Sequence, residues 1–201
     1  MKLIKHTTAL TLILSAFVHA SPQKLQSAKV TKTVNKVSIY QTQKKVIKAK
    51  LGDIITGATA VQTGRRSRAE LTFQDNTITR LGANSVFSFR KGSRDIQLQR
   101  GSILLQVPKN AGGATIRTAT VTAAITGTTL MMEYNEGEWI KLITLEGKVS
   151  LNLGNQKVNI PAGKMIIMRP DGQIITKPVD VDLQQLLKTS LLAGNKIFLP
   201  L

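Results

Sequence analysis

The sequence predicts an all-β domain of many short antiparallel strands followed by one short C-terminal amphipathic helix. Three observations predict it. Apolar and polar residues alternate with period two through most of the chain. Clusters of Gly, Pro, Asn and Asp punctuate these runs at a spacing of roughly 8 to 12 residues. A helical apolar period occurs in one place, between Asp182 and Gly194. This pattern belongs to a sandwich, barrel or roll, and no βαβ alternation competes with it.

The first segment is read apart from the fold. Lys2 and Lys5 precede an apolar run from Thr7 to Val18, and Val18-His19-Ala20 has the small-x-small form of a cleavage site. The run is shorter than the roughly 18 apolar residues of a membrane-spanning helix. Residues 1–20 are therefore expected to be a secretory signal peptide, and the mature chain to begin at Ser21, periplasmic or secreted. No cysteine follows the cleavage site and no later run is long enough to span a bilayer, so no lipid or transmembrane anchor is expected in the mature chain.

Export also narrows the chemistry. The sequence has no cysteine, and its two histidines are His6 and His19, both inside the signal peptide. Stability then comes from packing, without disulfides. Ser-His-Asp and Cys-His nucleophilic systems, imidazole general bases and thiolate or imidazole zinc sites are removed together.

The mature chain opens on residues 21–27, a disordered lead, and residues 28–177 form the β domain. Val30, Val34, Val37, Ile39, Tyr40, Val46 and Ile47 give two basic strands about Gln41 to Gln43. Between Ser21 and Gly52 there is no acidic residue, the first being Asp53. Lys29, Lys32, Lys36, Lys44, Lys45, Lys48 and Lys50 stand in this stretch, and Arg65, Arg66 and Arg68 follow in the turn after Gly64. Together they form a candidate surface for an anionic partner: a lipid headgroup, an acidic glycan or an acidic protein face. The competing explanation is an edge hairpin whose lysines block aggregation.

Further on, Ala69, Leu71 and Phe73 alternate with Arg68, Glu70 and Thr72 as in a half-buried strand. Gln74 to Thr77 is a hairpin connection and Gly82 to Ser85 a turn. Ile96 and Leu98 are separated from Ile103, Leu105 and Val107 by a turn at Arg100-Gly-Ser102. Pro108 to Gly113 is a loop. Thr118 to Thr126 reads as one strand, with Ala119, Val121, Ala123 and Ile125 inward. After Gly127 the parity inverts to Leu130, Met132 and Tyr134, which makes Gly127 either a bulge or bend or a plain loop glycine. Asn135 to Glu138 closes a hairpin onto Trp139 to Leu145. Gly147, Gly154-Asn155, Pro161-Ala-Gly163 and Pro170 to Gln173 separate the remaining strands. Gly64, Gly101, Gly127, Gly147 and Gly163 are thus the structural turn or bulge glycines.

Residues 178–201 hold the helix and tail. Asp182 caps the helix with Gln185 three residues on, Leu183, Leu186, Leu187 and Leu191 share a face, and Gly194 ends it. Its polar face is not basic, so it is expected to lie across a sheet or edge and not on a membrane. The tail Asn195 to Leu201 is apolar and is expected to pack as a last extended segment.

No catalytic, cofactor or metal residues are assigned. Glu133, Glu136, Glu138 and Glu146 are the carboxylates available for paired acid and base work, but they sit in or beside a hairpin turn. Asp171, Asp180 and Asp182 lack the spacing of a calcium loop. The basic composition, 28 Lys and Arg against 11 Asp and Glu, is not accompanied by a nucleic-acid motif.

The order of several short motifs resembles the FecR domain family. The pieces are Gly52-Asp53, Thr63-Gly64, Ser67 to Phe73, Asp75, Thr79 to Ser85, Leu98 to Gly101, Ile125-Thr-Gly-Thr128, Leu145 to Val149 and Ala162-Gly163, spread over Val30 to Ile175. The resemblance implies a flattened β-roll or sandwich in the periplasm and a binding or adaptor role in the bacterial cell envelope, without catalysis. The alternative it implies is cell-surface signalling through a separate membrane regulator. In the signalling members a cytoplasmic segment that controls a sigma factor and a membrane helix precede the domain, whereas a cleavable signal precedes it here.

Overall fold

The computed structural model describes residues 23–41, 45–57, 59–169 and 175–193. The expected signal peptide, Lys44, the expected turn from Pro170 to Gln173, and Gly194 with the tail after it lie outside the described residues.

Two antiparallel layers face each other. The first runs in the order β4 (Ile54–Thr56), β1 (Ser27–Val34), β6 (Arg68–Phe73), β7 (Ile78–Leu81), β9 (Asp95–Gln106), β12 (Thr129–Asn135), β13 (Trp139–Glu146), β16 (Lys164–Met168) and β17 (Val179–Asp180). The second runs β3 (Val46–Lys48), β2 (Val37–Tyr40), β5 (Ala60–Thr63), β8 (Val86–Phe89), β9, β10 (Ala114–Arg117), β11 (Thr122–Ile125), β14 (Lys148–Leu153) and β15 (Gln156–Pro161). The chain passes back and forth between them, one or two strands at a time, which makes the domain a flattened roll. Among the described residues only the β9–β10 pairing is parallel. Inward residues of both layers, among them Val30, Leu71, Phe87, Leu98, Ile116, Leu130, Leu142 and Leu151, form one buried core. The period-two alternation of the sequence is this division into core and solvent faces.

Strand β9 differs from the expected turn at Arg100-Gly-Ser102. It continues from Asp95 to Gln106 and belongs to both layers: its first part pairs with β8 and β10, its second with β7 and β12. Gly101 is where it bends. Its φ is +88°, and a Cβ there would lie 2.4 Å from Ser85 Cα, so the strand changes layers only because this residue has no side chain.

The strand expected over Thr118 to Thr126 is shorter. Residues 118–121 form a turn in which Thr118 Oγ1 accepts from the backbone N–H groups of Thr120 and Val121, at 3.3 and 3.1 Å. Threonine side chains compete with sheet ladders in this way. Ala119 is exposed as a result, whereas Val121, Ala123 and Ile125 are buried. The parity inversion after Gly127 is the step from β11 in the second layer to β12 in the first. Gly127 has φ +56°, and a Cβ there would lie 2.9 Å from Lys109 Cα, the geometry of a bend. Gly147 makes the similar step from β13 to β14, and Gly64 and Gly163 stand in the β5–β6 and β15–β16 turns. The loop from Pro108 contains a turn of 3-10 helix, Lys109–Ala111.

The lead is not wholly loose. Leu25 is 2% exposed and forms a bridge with Ser93, and Ser27 already belongs to β1. An apolar residue with a place in the core overrides the polar composition around it.

The helix α1 (Leu183–Thr189) lies across the outer face of the first layer, as expected. Asp182 Oδ1 accepts from Gln185 N at 2.9 Å, and Leu183, Leu186 and Leu187 pack on Leu104, Ile143 and Leu145. Its end differs from the sequence reading. The helix stops at Thr189, Leu191 is 74% exposed, and Leu192 is buried in its place. Ser190 Oγ accepts from the N–H groups of Leu192 and Ala193, and Arg80 donates to Leu192 O at 2.8 Å, so the chain turns one residue too early for Leu191 to reach the sheet.

Candidate functional site

The basic residues singled out from sequence do not make a single patch. Strands β3 and β4 are the edge strands of the two layers at the same side of the roll, joined by residues 49–53. This lateral edge gathers Lys45, Lys48 and Lys50, with Lys29 on β1 directly opposite Ile54 of β4. All four are exposed. Asp53 is the acidic side chain of this connection, and its Oδ2 accepts from Lys50 N at 2.7 Å.

A second group forms where the β1–β2 and β5–β6 turns meet. Gly64 N donates to Lys36 O at 2.9 Å, Lys36 N donates to Ser67 Oγ at 3.0 Å, and Asn35 Nδ2 donates to Arg66 O at 2.6 Å. These bonds fix the turn that displays Lys36, Arg65 and Arg66 to solvent. The remaining cations lie on the outer face of the first layer. Lys32 is opposite Glu70, and Arg68 is half-buried with its guanidinium 3.5 Å from Leu191 O. Opposite charge and burial reduce what these two offer to an external anion.

The carboxylates show no catalytic pairing. Glu133 is bridged to Lys141 at 3.0 Å and Glu146 to Lys109 at 3.9 Å, while Glu136 and Glu138 stand exposed at the hairpin tip. Burial, and after it the nearby Glu136, push the Tyr134 phenol above its ordinary range, which keeps it protonated. Among the described residues no three His, Cys, Asp or Glu side chains gather in a way that could hold a metal ion. No described helix is long and apolar enough to cross a membrane.

Sequence reasoning missed two features. One is a buried ion pair, Arg94 Nη1 to Asp75 Oδ2 at 2.6 Å, with Arg94 also donating to Gly113 O, Gln23 O and Thr77 Oγ1. The other is the exposure of Val46, Ile47, Leu51 and Ile54 among the lateral lysines.

Residues 59–150 match the family model described as FecR protein. This stretch is similar to the FecR domain. It comprises β5 to β13 and the first part of β14, so the Arg65–Arg68 turn lies within the match and the lateral lysine edge lies before it. Two crystal structures of a proposed anti-sigma factor from Parabacteroides distasonis share this chain's fold. One, at 1.65 Å resolution, superposes with a TM-score of 0.57 at 17% identity, covering 63% of this chain and 62% of that one. The other, at 2.50 Å, gives 0.56 at 16%, covering 65% and 64%. The similarity thus spans less than two thirds of those proteins and is one of fold. No curated protein matches the sequence.

Proposed function

We propose that this FecR-domain protein is a non-enzymatic binding module, exported to the bacterial periplasm by residues 1–20, whose lateral edge holds an acidic component of the cell envelope. The observation that carries this reading is the convergence of Lys29, Lys45, Lys48 and Lys50 from β1, β3 and their connections onto one rim. A cluster of one charge sign raises the local concentration of oppositely charged partners and speeds their encounter. The turn carrying Lys36, Arg65 and Arg66 adds a second cationic contact. The absence of histidine and cysteine after residue 20 and the lysine-bridged state of Glu133 and Glu146 speak against catalysis.

A second reading is favoured by the FecR domain itself: the module relays a cell-surface signal through a separate membrane regulator. The fold shared with a proposed anti-sigma factor supports regulation as the broad setting. The two readings are compatible, since a relay also needs a docking edge.

Retention on envelope fractions tests the binding reading. The wild-type chain is expected to stay with the envelope at low salt and to be released as ionic strength rises, because exposed charges are screened beyond the Debye length, about 10 Å at 0.1 M. Reversing Lys45, Lys48 and Lys50 to glutamate is expected to weaken retention by about tenfold or more. Retention indifferent to both salt and charge reversal sinks the reading.

A further inference from the structure

The lateral edge carries aliphatic side chains as well as lysines. Leu51 is 72% exposed, Ile54 61%, Val46 47% and Ile47 36%. They stand beside the cations along the edge: Ile54 is paired across the ladder with Lys29, and Val46 and Ile47 share the three-residue strand β3 with Lys48. Leu51 stands in the turn between β3 and β4. That turn is tied to both layers, with Ala49 N donating to Val37 O and Gly52 N to Val30 O, each at 2.9 Å. Leu51 is therefore held outward by a bonded frame.

Edge protection explains the lysines but not these residues. Exposed aliphatic groups on an edge strand invite pairing with other chains, the hazard that edge lysines exist to prevent. A clustered apolar patch on a basic rim instead marks a surface that is covered in use. Its composition indicates by what. Protein interfaces are enriched in arginine and aromatic residues and depleted in lysine, whereas this edge has lysine as its cation and Tyr40, opposite Val46, as its aromatic. Aliphatic side chains flanked by lysines suit the boundary of a bilayer. The ammonium groups reach the phosphates while their methylene stems lie along the apolar layer.

We infer that the rim formed by β3, β4 and the turn between them is a peripheral binding site for a bilayer containing anionic phospholipid, with Leu51, Ile54, Ile47 and Val46 entering the acyl boundary. This inference rests on the reading of the edge as an anionic-partner surface and assigns it to lipid. Neither component suffices alone: the apolar area is small, and the lysines by themselves give only salt-sensitive adsorption.

Vesicle flotation tests it, using the chain from Ser21, which retains every described residue and omits the apolar leader. Binding is expected to vesicles of phosphatidylglycerol with phosphatidylethanolamine, to fall with salt, and to be absent from phosphatidylcholine alone. Leu51→Ser combined with Ile54→Ser leaves the charge unchanged and is expected to cut binding by about tenfold or more. Both positions are exposed, so the variant's melting temperature is expected to match the parent's. Failure to bind anionic vesicles, or equal binding by the serine variant, overturns the lipid assignment. If that happens while envelope retention stays salt-dependent, the acidic-partner reading stands without the lipid; loss of both removes both.

Discussion

Asp75→Ala is expected to lower the stability of the domain by about 3–5 kcal/mol, the cost of stripping one partner from a buried ion pair. The Asp75 and Arg94 side chains are 3% and 11% exposed. Removing the carboxylate leaves the guanidinium uncompensated inside the fold, and it also deprives Thr77 of two bonds, from its N–H and its hydroxyl, each 2.9 Å long. Arg94 clamps three segments distant in sequence: the β6–β7 turn, the loop ending at Gly113, and Gln23 ahead of β1. Loosening it is therefore expected to free the start of the chain together with Leu25. Urea unfolding gives the magnitude, and hydrogen exchange at Leu25, whose N–H donates to Ser93 O at 2.9 Å, gives the location. A loss below about 1 kcal/mol, the scale of an exposed pair, contradicts this role.

Gly101→Val is expected to be worse, costing more than about 4 kcal/mol or preventing folding, since it combines backbone strain with a clash in the core. The valine would occupy a left-handed backbone position, and its Cβ would meet the Cα of Ser85, which cannot rotate away. Ser85 is itself fixed. Its hydroxyl donates to Gly82 O at 3.0 Å and accepts from Ser102 N at 2.9 Å, and its N–H donates to Thr63 Oγ1 at 2.9 Å. The damage would fall where β9 passes between layers, on which both sheets depend. Circular dichroism and thermal unfolding read the outcome; a cooperative transition close to that of the parent contradicts the assigned bend.

These two sites show where sequence reasoning reaches its limit. Strand identity was legible because it is written in local alternation: Ala69, Leu71 and Phe73, or Leu130, Met132 and Tyr134, point inward as read. The capped helix was equally local, resting on Asp182 and Gln185. Layer membership is not local. Nothing within Arg100-Gly-Ser102 separates a turn from a bent strand that serves two sheets, because the distinction lies in Ser85 and in the partners on either side. Thr118 misled for a related reason, since its hydroxyl closes a turn that alternation alone reads as strand.

The candidate site divides in the same way. Lysine enrichment before Asp53 was evident from composition. Its separation into a lateral edge and a turn at Lys36, Arg65 and Arg66 follows from pairings such as Lys29 with Ile54, which only the topology supplies. Exposure of Leu51 and Ile54 was hidden because apolar residues in a β pattern normally face a core. Here they belong to the connection and the edge strand that end both layers.

The most direct test of a lateral docking edge is site-specific photo-crosslinking in cells, with the reactive residue at Leu51 and, as control, at Gln156 on the far edge strand β15. Envelope adducts are expected from position 51 and not from 156, and they are expected to disappear when Lys48 and Lys50 are replaced by glutamate. Adducts from position 156 alone, or equal yields from 51 with and without the lysines, would contradict it.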